Sequence, residues 1–216
     1  MPFFLFPFRR KKIKPVVPND KFKGIPVAPM PVATDRVRRH FYNEKGFQTY
    51  ASFFAHWDGY ITAGHVLNDS QGKLPPFTRG AVASWPETAS GSLDAAMIGC
   101  QLPSVSPPEP TQGQDVVCRG YPAGSAHGAT RTAKVYMQRP NAPGAWIARI
   151  IEPDEPVVTG MSGGPVLDAQ TGEPIGILIT RNSPADLNND RDPDESFDFI
   201  SLASVWRALT EGNDYV

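Results

Sequence analysis

Residues 159–166 of the chain read TGMSGGPV and place three glycines and a proline around the hydroxyl of Ser162. Glycine lets the backbone turn sharply or approach another group closely, because it lacks a Cβ atom. A loop that aims backbone N–H groups at a developing negative charge has these requirements. A tight turn between two strands has them as well, since Gly and Pro are common turn residues. The rest of the chain has to decide between the two interpretations.

The composition of the 216 residues is that of an ordinary soluble protein, with 40% hydrophobic and 20% charged residues. The net charge of −1 argues against a nucleic-acid partner. No stretch has the length of a membrane-spanning helix. The two cysteines, Cys100 and Cys118, allow one disulfide at most, and we interpret them as buried free thiols.

Residues 1–32 contain seven prolines and a basic run, and they have no lasting periodicity. They predict an extended, proline-rich basic arm, with one strand near KGIPVAP. Because the apolar residues of this segment precede its basic ones, we do not expect a secretory signal peptide.

The remainder of the chain has the pattern of an all-β protein. VRRHFY and FQTYASFFAH, on either side of NEKG, are rich in aromatic and β-branched residues and predict a hairpin. WDG predicts an Asp-Gly turn before YITAGHVL. The next short apolar runs are bounded by Gly, Pro, Asn or Asp and favour an antiparallel barrel or sandwich: AVASW, AAMIGCQL, DVVCRGYP, ATRTAKVYM, AWIARII, GGPVLD and PIGILITRN. SLASVWRALTEG predicts a C-terminal helix, with Ser201 as its N-cap and Gly212 as its stop.

A serine hydroxyl becomes a nucleophile when a base takes its proton, and the base usually needs an orienting carboxylate. His65, in ITAGHVL, ends an apolar run, and Asp94, in SLDAAMIG, precedes one. Burial of such an aspartate is costly without a hydrogen-bonded partner. The two residues are therefore the candidate base and orienting acid. A structural histidine and a strand-edge aspartate are the alternatives.

The order of the three residues along the chain excludes two other hydrolase classes. GMSGG fits the elbow of the α/β-hydrolases, but that fold needs its histidine after the serine, and no histidine follows His127. Subtilisin-like enzymes place the aspartate before the histidine. Histidine, aspartate and serine, in this order within an all-β chain, correspond to chymotrypsin.

The chain resembles the trypsin-like (chymotrypsin-fold) serine peptidases, and among them the compact kind that includes the bacterial Deg-type proteases. TAGHV resembles the histidine motif of the family, LDAAMIG its aspartate motif and GMSGGPV its serine motif. The resemblance implies two packed, antiparallel, six-stranded β-barrels and a short C-terminal helix. The first barrel is expected over residues 33–108 and the second over 109–216, with the boundary near the proline-rich segment 105–112.

The resemblance also implies a catalytic triad of His65, Asp94 and Ser162. In the implied reaction, Ser162 attacks a carbonyl of a protein or peptide substrate, and an acyl-enzyme forms and is hydrolysed. The backbone N–H groups of Gly160 and Ser162 would form the oxyanion hole, and no metal or organic cofactor is required.

Two departures from the best-known relatives bear on regulation and location. Met161 stands where digestive relatives carry an acidic residue that pairs with a freshly cut N-terminus, so we do not expect activation by that ion pair. The cysteines do not bracket the histidine or the serine as the extracellular disulfides of the family do. We therefore expect a cytoplasmic or otherwise reducing compartment.

The resemblance indicates less about the substrate preference. Leu178 falls near the position where glutamate-specific relatives carry a histidine, which disfavours that preference. Glu152, Asp154 and Glu155 are candidates for the base of a pocket that accepts a basic side chain, and a solvated acidic loop is the alternative.

No metal site is predicted. DLNNDRDPDES places acidic and amide side chains at alternate positions, at Asp186, Asn188, Asp190, Asp192 and Asp194. Arg191 stands where an EF-hand needs glycine, so a hydrated acidic loop is favoured over a calcium site. His40, His56 and His127 do not have metal-ligand spacing.

Two other functions stay open from the sequence. A catalytically silent chymotrypsin-like protein would act as a binding module, with its cleft or basic arm recruiting a partner. A self-processing peptidase would cut mainly itself or one companion protein. The oligomeric state is not predicted.

Overall fold

Short antiparallel strands make up most of the described chain. The computed structural model describes residues 37–44, 47–69, 81–88, 91–122, 127–142, 144–151, 157–182 and 195–211. The all-β class, the antiparallel pairing and the short C-terminal helix predicted from the sequence are confirmed. The proline-rich arm 1–32, with its predicted strand, lies outside the described residues.

The described residues of the first half form seven strands and a short helix. In chain order these are β1 (Val37–Glu44), β2 (Phe47–His56), β3 (Gly59–Thr62), α1 (Gly64–Asp69), β4 (Ala83–Ser84), β5 (Glu87–Thr88), β6 (Gly91–Ser92) and β7 (Ala96–Ile98). The predicted hairpin is confirmed, because β1 pairs with β2 from Val37↔Phe54 to Glu44↔Phe47. Among the described residues, five strands form a sheet in the order β1-β2-β3-β7-β4, and β5 and β6 form a separate pair.

Among the described residues this five-stranded sheet is open, whereas the resemblance implies a closed six-stranded barrel for the first half. The segment that carries β4 and β5 is interrupted at Pro86, which has no N–H group to donate to a strand ladder. In the described residues, the strands on either side of Pro86 are two residues long.

The turn between β2 and β3 lies one residue earlier than the Asp-Gly turn that WDG predicts. Trp57 and Asp58 have positive φ angles of 50° and 58°, and His56 pairs with Gly59 across the turn. Positive φ at both central residues is typical of a type I′ hairpin turn. Gly59 serves close packing instead, because a Cβ atom there would lie 2.5 Å from the carbonyl oxygen of Ile98.

The second half is the six-stranded closed barrel that was predicted for it. Its strands are β8 (Asp115–Gly120), β9 (Ala129–Gln138), β10 (Ala145–Ile150), β11 (Pro165–Asp168), β12 (Pro174–Asn182) and β13 (Ser196–Ser201), in the order β10-β13-β12-β11-β8-β9. Strand β13 was not among the predicted strands. It closes the barrel by pairing with both β10 and β12.

The C-terminal helix α2 (Leu202–Glu211) joins the core of the first half. The predicted N-cap is confirmed, because the Ser201 hydroxyl accepts the N–H of Ser204 at 3.1 Å. Leu202 and Val205 are buried in the apolar cluster that lies under the first sheet. Trp206 donates its indole N–H to the carbonyl oxygen of Pro103 at 2.8 Å, so the helix also holds the segment that joins the two halves.

Residues 99–114 between β7 and β8 contain neither strand nor helix, and the boundary between residues 108 and 109 stays a prediction. Gly212, the predicted end of the helix, lies outside the described residues. No helix in the described part of the chain is long and apolar enough for a membrane crossing.

The barrel core makes a testable prediction about stability. Phe199 is fully buried, and a Cβ atom on Gly176 would lie 2.4 Å from its ring. We expect Phe199→Ala to lower the free energy of unfolding in urea by about 3–5 kcal/mol, because the cavity cannot fully collapse. Val105→Ala, at a side chain that is 74% exposed, should change it by less than about 0.5 kcal/mol. Equal effects of the two variants would contradict this account of the core.

Candidate active site

Pairing of β3 with β7 brings His65 and Asp94 together. The two strands are antiparallel, with Thr62 opposite Ala96, so the chain leaves β3 at the end where it enters β7. His65 is the second residue of α1, directly after β3, and Asp94 lies just before β7. Their side chains meet with His65 Nδ1 at 2.8 Å from Asp94 Oδ2.

The second carboxylate oxygen of Asp94 also accepts a hydrogen bond from His65. Asp94 Oδ1 accepts the backbone N–H of His65 at 2.7 Å, so the carboxylate is held by two bonds to one residue. A Cβ atom on Gly64 would lie 3.1 Å from this oxygen and 3.0 Å from the N of Ala95, which explains the glycine before the histidine. The pair is therefore fixed in orientation by the backbone as well as by the ring.

The electrostatics of Asp94 favour the ionised carboxylate. Burial by itself would raise the pKa of this carboxyl, but the hydrogen bonds and charge of His65 outweigh burial and lower the pKa below its usual value. The His65 and Asp94 side chains are 41% and 35% exposed. They open onto a cleft of about 540 Å³ that Trp85, Glu87 and Leu93 also line.

Ser162 lies in the segment 160–164, which runs between the two halves of the molecule. Its carbonyl oxygen accepts the N–H of Ser52, in β2, at 2.9 Å. On the other side, Gly163 donates its N–H to the carbonyl of Leu178 at 2.7 Å, and Leu178 donates to Gly164 at 2.9 Å. The half-buried Ser162 is thus held between β2 of the first half and β12 of the second.

The glycines on either side of Ser162 allow this close fit. Gly163 has a φ of +84°, and a Cβ atom there would lie 2.1 Å from Thr62 Oγ1. A Cβ atom on Gly164 would lie 1.8 Å from the carbonyl oxygen of Arg119. Since Thr62 stands three residues before His65, the serine segment lies against the strand that leads to the histidine.

The N–H groups of this segment divide into two sets. Those of Met161, Gly163 and Gly164 donate to the carbonyls of Val158, Leu178 and Met161. Among the described residues, no protein acceptor is present for the N–H groups of Gly160 and Ser162. Gly160 has a φ of +96°, a conformation that glycine adopts without strain.

The structure places His65 and Asp94 in contact and brings the serine segment against the strand before His65. It does not describe Glu152, Asp154 and Glu155, and the acidic positions 186–194 also lie outside the described residues.

The structure also describes the surroundings of His56, His127 and the two cysteines. His127 is exposed, and His56 lies beside the rings of Phe54 and Trp57. Within the described ranges, no group of three or more His, Cys, Asp or Glu side chains is placed to hold a metal ion. Both cysteines are free thiols, as predicted. Burial raises the pKa of Cys118 to about 12 and that of the partly buried Cys100 to about 11.

Sequence reasoning missed Ser52. Its side chain is completely buried, and its hydroxyl donates to the carbonyl of Gly160 at 2.9 Å and accepts the N–H of Tyr121 at 2.9 Å. The sequence feature that indicates a role for Ser52 is its position inside the apolar run ASFFA. A serine in such a run is expected to be buried, and a buried polar side chain needs hydrogen-bond partners.

Comparisons with known proteins bear on the family and the fold of the chain. A sequence model of the trypsin-like peptidase domain family matches residues 51–177. The Rv3671c protease of M. tuberculosis in its active form aligns in structure with a TM-score of 0.53 and 20% identity, over 96% of this chain and 93% of that one. A serine endoprotease from Yersinia pestis aligns with a TM-score of 0.53 and 17% identity, over 83% of this chain and 63% of that one. At these identities the two structures support the fold. No curated protein sequence matches the chain.

Contact between His65 and Asp94 predicts a pH dependence of stability. The folded-state pKa of Asp94 is lowered, so the unfolded chain binds more protons in acid. The stabilisation is fully present above the unfolded-state pKa of about 4 and is lost as the pH falls through the lower folded-state value. In urea titrations from about pH 6 to about pH 3, we expect the stability advantage of the wild type over Asp94→Asn to shrink. An advantage that is constant across this range would contradict the assignment.

Proposed function

The chain belongs to the trypsin-like peptidase domain family, and on this premise we propose that it is a serine endopeptidase in which Ser162, His65 and Asp94 form the catalytic triad. The observation that carries the proposal is the two-bond contact between His65 and Asp94, at the end of the strand against which the Ser162 segment lies. The substrate is a protein or peptide whose scissile carbonyl lies beside Ser162.

In the proposed reaction, the Ser162 hydroxyl attacks the carbonyl carbon of the scissile peptide bond. Because Asp94 accepts from Nδ1 of His65, the proton of the neutral imidazole resides on Nδ1, and Nε2 is the basic nitrogen. Nε2 takes the hydroxyl proton during the attack and gives it to the leaving amine. The ionised Asp94 stabilises the imidazolium that exists between these two transfers.

The backbone N–H groups of Gly160 and Ser162 are the proposed oxyanion hole. They are the two N–H groups of the segment without a protein acceptor among the described residues, so they are available to the oxyanion of the tetrahedral intermediate. Loss of one such donor typically costs about 3–4 kcal/mol of transition-state stabilisation. Collapse of the intermediate gives an acyl-enzyme on Ser162, which a water molecule activated by His65 hydrolyses.

Covalent labelling tests the nucleophile directly. A fluorophosphonate probe reacts with activated serines, so we expect the purified full-length chain to be labelled at Ser162. Labelling should be lost in Ser162→Ala and His65→Ala, and retained in Ser104→Ala and His127→Ala, which change exposed residues of the same types. A folded wild-type protein that takes up no label would instead favour the catalytically silent binding module.

Replacement of the orienting acid makes a quantitative prediction. We expect Asp94→Asn to lower kcat/KM on a peptide substrate by roughly 10,000-fold, because an amide facing Nδ1 favours the wrong imidazole tautomer. Asp115→Asn is the matched control, since this exposed aspartate pairs with Lys134 away from the His65–Asp94 contact, and it should leave kcat/KM within about twofold. Similar losses in both variants would show that Asp94 has no special role.

A further inference from the structure

We propose that Ser52 is a positioning residue for the oxyanion hole, acting through the carbonyl of Gly160. The inference rests on the proposed function, because it concerns how the serine segment is held for the reaction. Ser52 does not contact the reacting atoms. It fixes the backbone that presents the N–H groups of Gly160 and Ser162.

All four hydrogen-bonding functions of Ser52 are used inside the protein. Its N–H donates to the carbonyl of Ser162 at 2.9 Å, and its own carbonyl accepts the hydroxyl of Thr62 at 2.8 Å. Its hydroxyl accepts the N–H of Tyr121 and donates to the carbonyl of Gly160, each at 2.9 Å. Two of the four bonds therefore go to the serine segment, at the residues that carry the proposed oxyanion donors.

The direction of the hydroxyl is determined by its two partners. The N–H of Tyr121 can only donate, so the serine oxygen must accept it, and the serine proton is left to point at the Gly160 carbonyl. Ser52 is 0% exposed, so both bonds are shielded from bulk water. Removal of the hydroxyl leaves the partly buried N–H of Tyr121 and the buried carbonyl of Gly160 without their bonds, which is more costly than the loss of one exposed bond.

Gly160 is the point at which the segment most needs an external constraint. Glycine has wide conformational freedom, so its φ of +96° is permitted but not enforced by the residue itself. The peptide plane between Gly160 and Met161 is held at both ends, by Ser52 on the carbonyl and by Val158 on the N–H. The Gly160 N–H belongs to the preceding peptide plane, between Thr159 and Gly160. Without Ser52, the following plane is held at one end only, so the torsions of Gly160 and the direction of its N–H are less firmly fixed.

The end of β8 supports the same segment from another side. A Cβ atom on Gly120 would lie 2.7 Å from Cα of Met161, so the backbones of β8 and the serine segment are in direct contact. Tyr121, the next residue, is the donor to Ser52. The hydroxyl of Ser52 thus joins β2, the end of β8 and the serine segment at one buried point.

The test compares Ser52→Ala with Ser201→Ala in the full-length protein. Ser201 is also 0% exposed, and its hydroxyl also accepts a backbone N–H and donates to one acceptor, but it caps α2. Both variants should lower the midpoint of thermal unfolding by a few degrees. Ser52→Ala alone should lower kcat and the rate constant for fluorophosphonate labelling, by about 10- to 100-fold, with KM unchanged within about threefold.

A second readout does not depend on catalysis. Hydrogen exchange of a peptide covering residues 158–164 reports the bonded N–H groups of Met161, Gly163 and Gly164. Ser52→Ala should speed exchange in this peptide by about tenfold, and Ser201→Ala should leave it at the wild-type rate. Ser52→Cys, which keeps a weak donor of similar size, should give intermediate values and carries the test where the alanine variant does not fold.

The outcomes separate this inference from the proposed function. If the wild type is labelled but Ser52→Ala keeps its labelling rate within about twofold, the positioning role is overturned while the peptidase activity stands. Equal losses in the Ser52 and Ser201 variants also overturn it, because they indicate general destabilisation. If the wild type is not labelled, the proposed function fails, and unchanged exchange over 158–164 overturns the role of Ser52 as well.

Discussion

The fit of the segment 160–164 against β2 and β3 is the constraint on which the rest of the site depends. At Gly163 the two halves of the molecule approach so closely that a Cβ atom would lie 2.1 Å from Thr62 Oγ1 and 2.2 Å from the carbonyl oxygen of Ser52. Together with the hydrogen bonds of Ser52, this contact fixes where Ser162, from the second half, lies relative to His65, from the first.

Directional polar contacts make this fit specific. Apolar packing under the two sheets supplies most of the stabilisation, but it tolerates small sliding movements. The hydrogen bonds between Ser52 and the serine segment do not tolerate such movements. Leaving a buried donor or acceptor without its partner costs more free energy than forming the hydrogen bond gains. Hydrophobic burial therefore brings the halves together, and the buried polar groups select one alignment.

The sequence predicts much of the site because its motifs are local, and less of the fold because pairing is not. The β1–β2 hairpin and the cap of α2 follow from neighbouring residues and are confirmed. Strand β13 was missed although Ser196–Phe199 alternate polar and apolar residues, since this short run lies directly between the acidic segment and the helix pattern. The described residues of the first half form an open five-stranded sheet and a separate pair of strands. Closure of a barrel depends on pairing between strands that are far apart in the sequence, which local motifs do not indicate. Ser52 could not be assigned, since nothing near it in the sequence indicates which distant loop it faces.

Met161 shows how the segment is ordered without a charged anchor. Its side chain is 0% exposed and belongs to the apolar cluster of the second barrel, together with Val157 and Leu178. Full burial of such a side chain contributes about 1.5–3 kcal/mol, and this contribution does not depend on pH or on a newly cut N-terminus. The residue between the two proposed oxyanion donors is thus anchored by folding of the barrel itself. Ser52 holds the Gly160 end of the segment by a hydrogen bond, and Leu178 holds the Gly163 end. The segment therefore acquires its shape when the halves pack, before any substrate is bound.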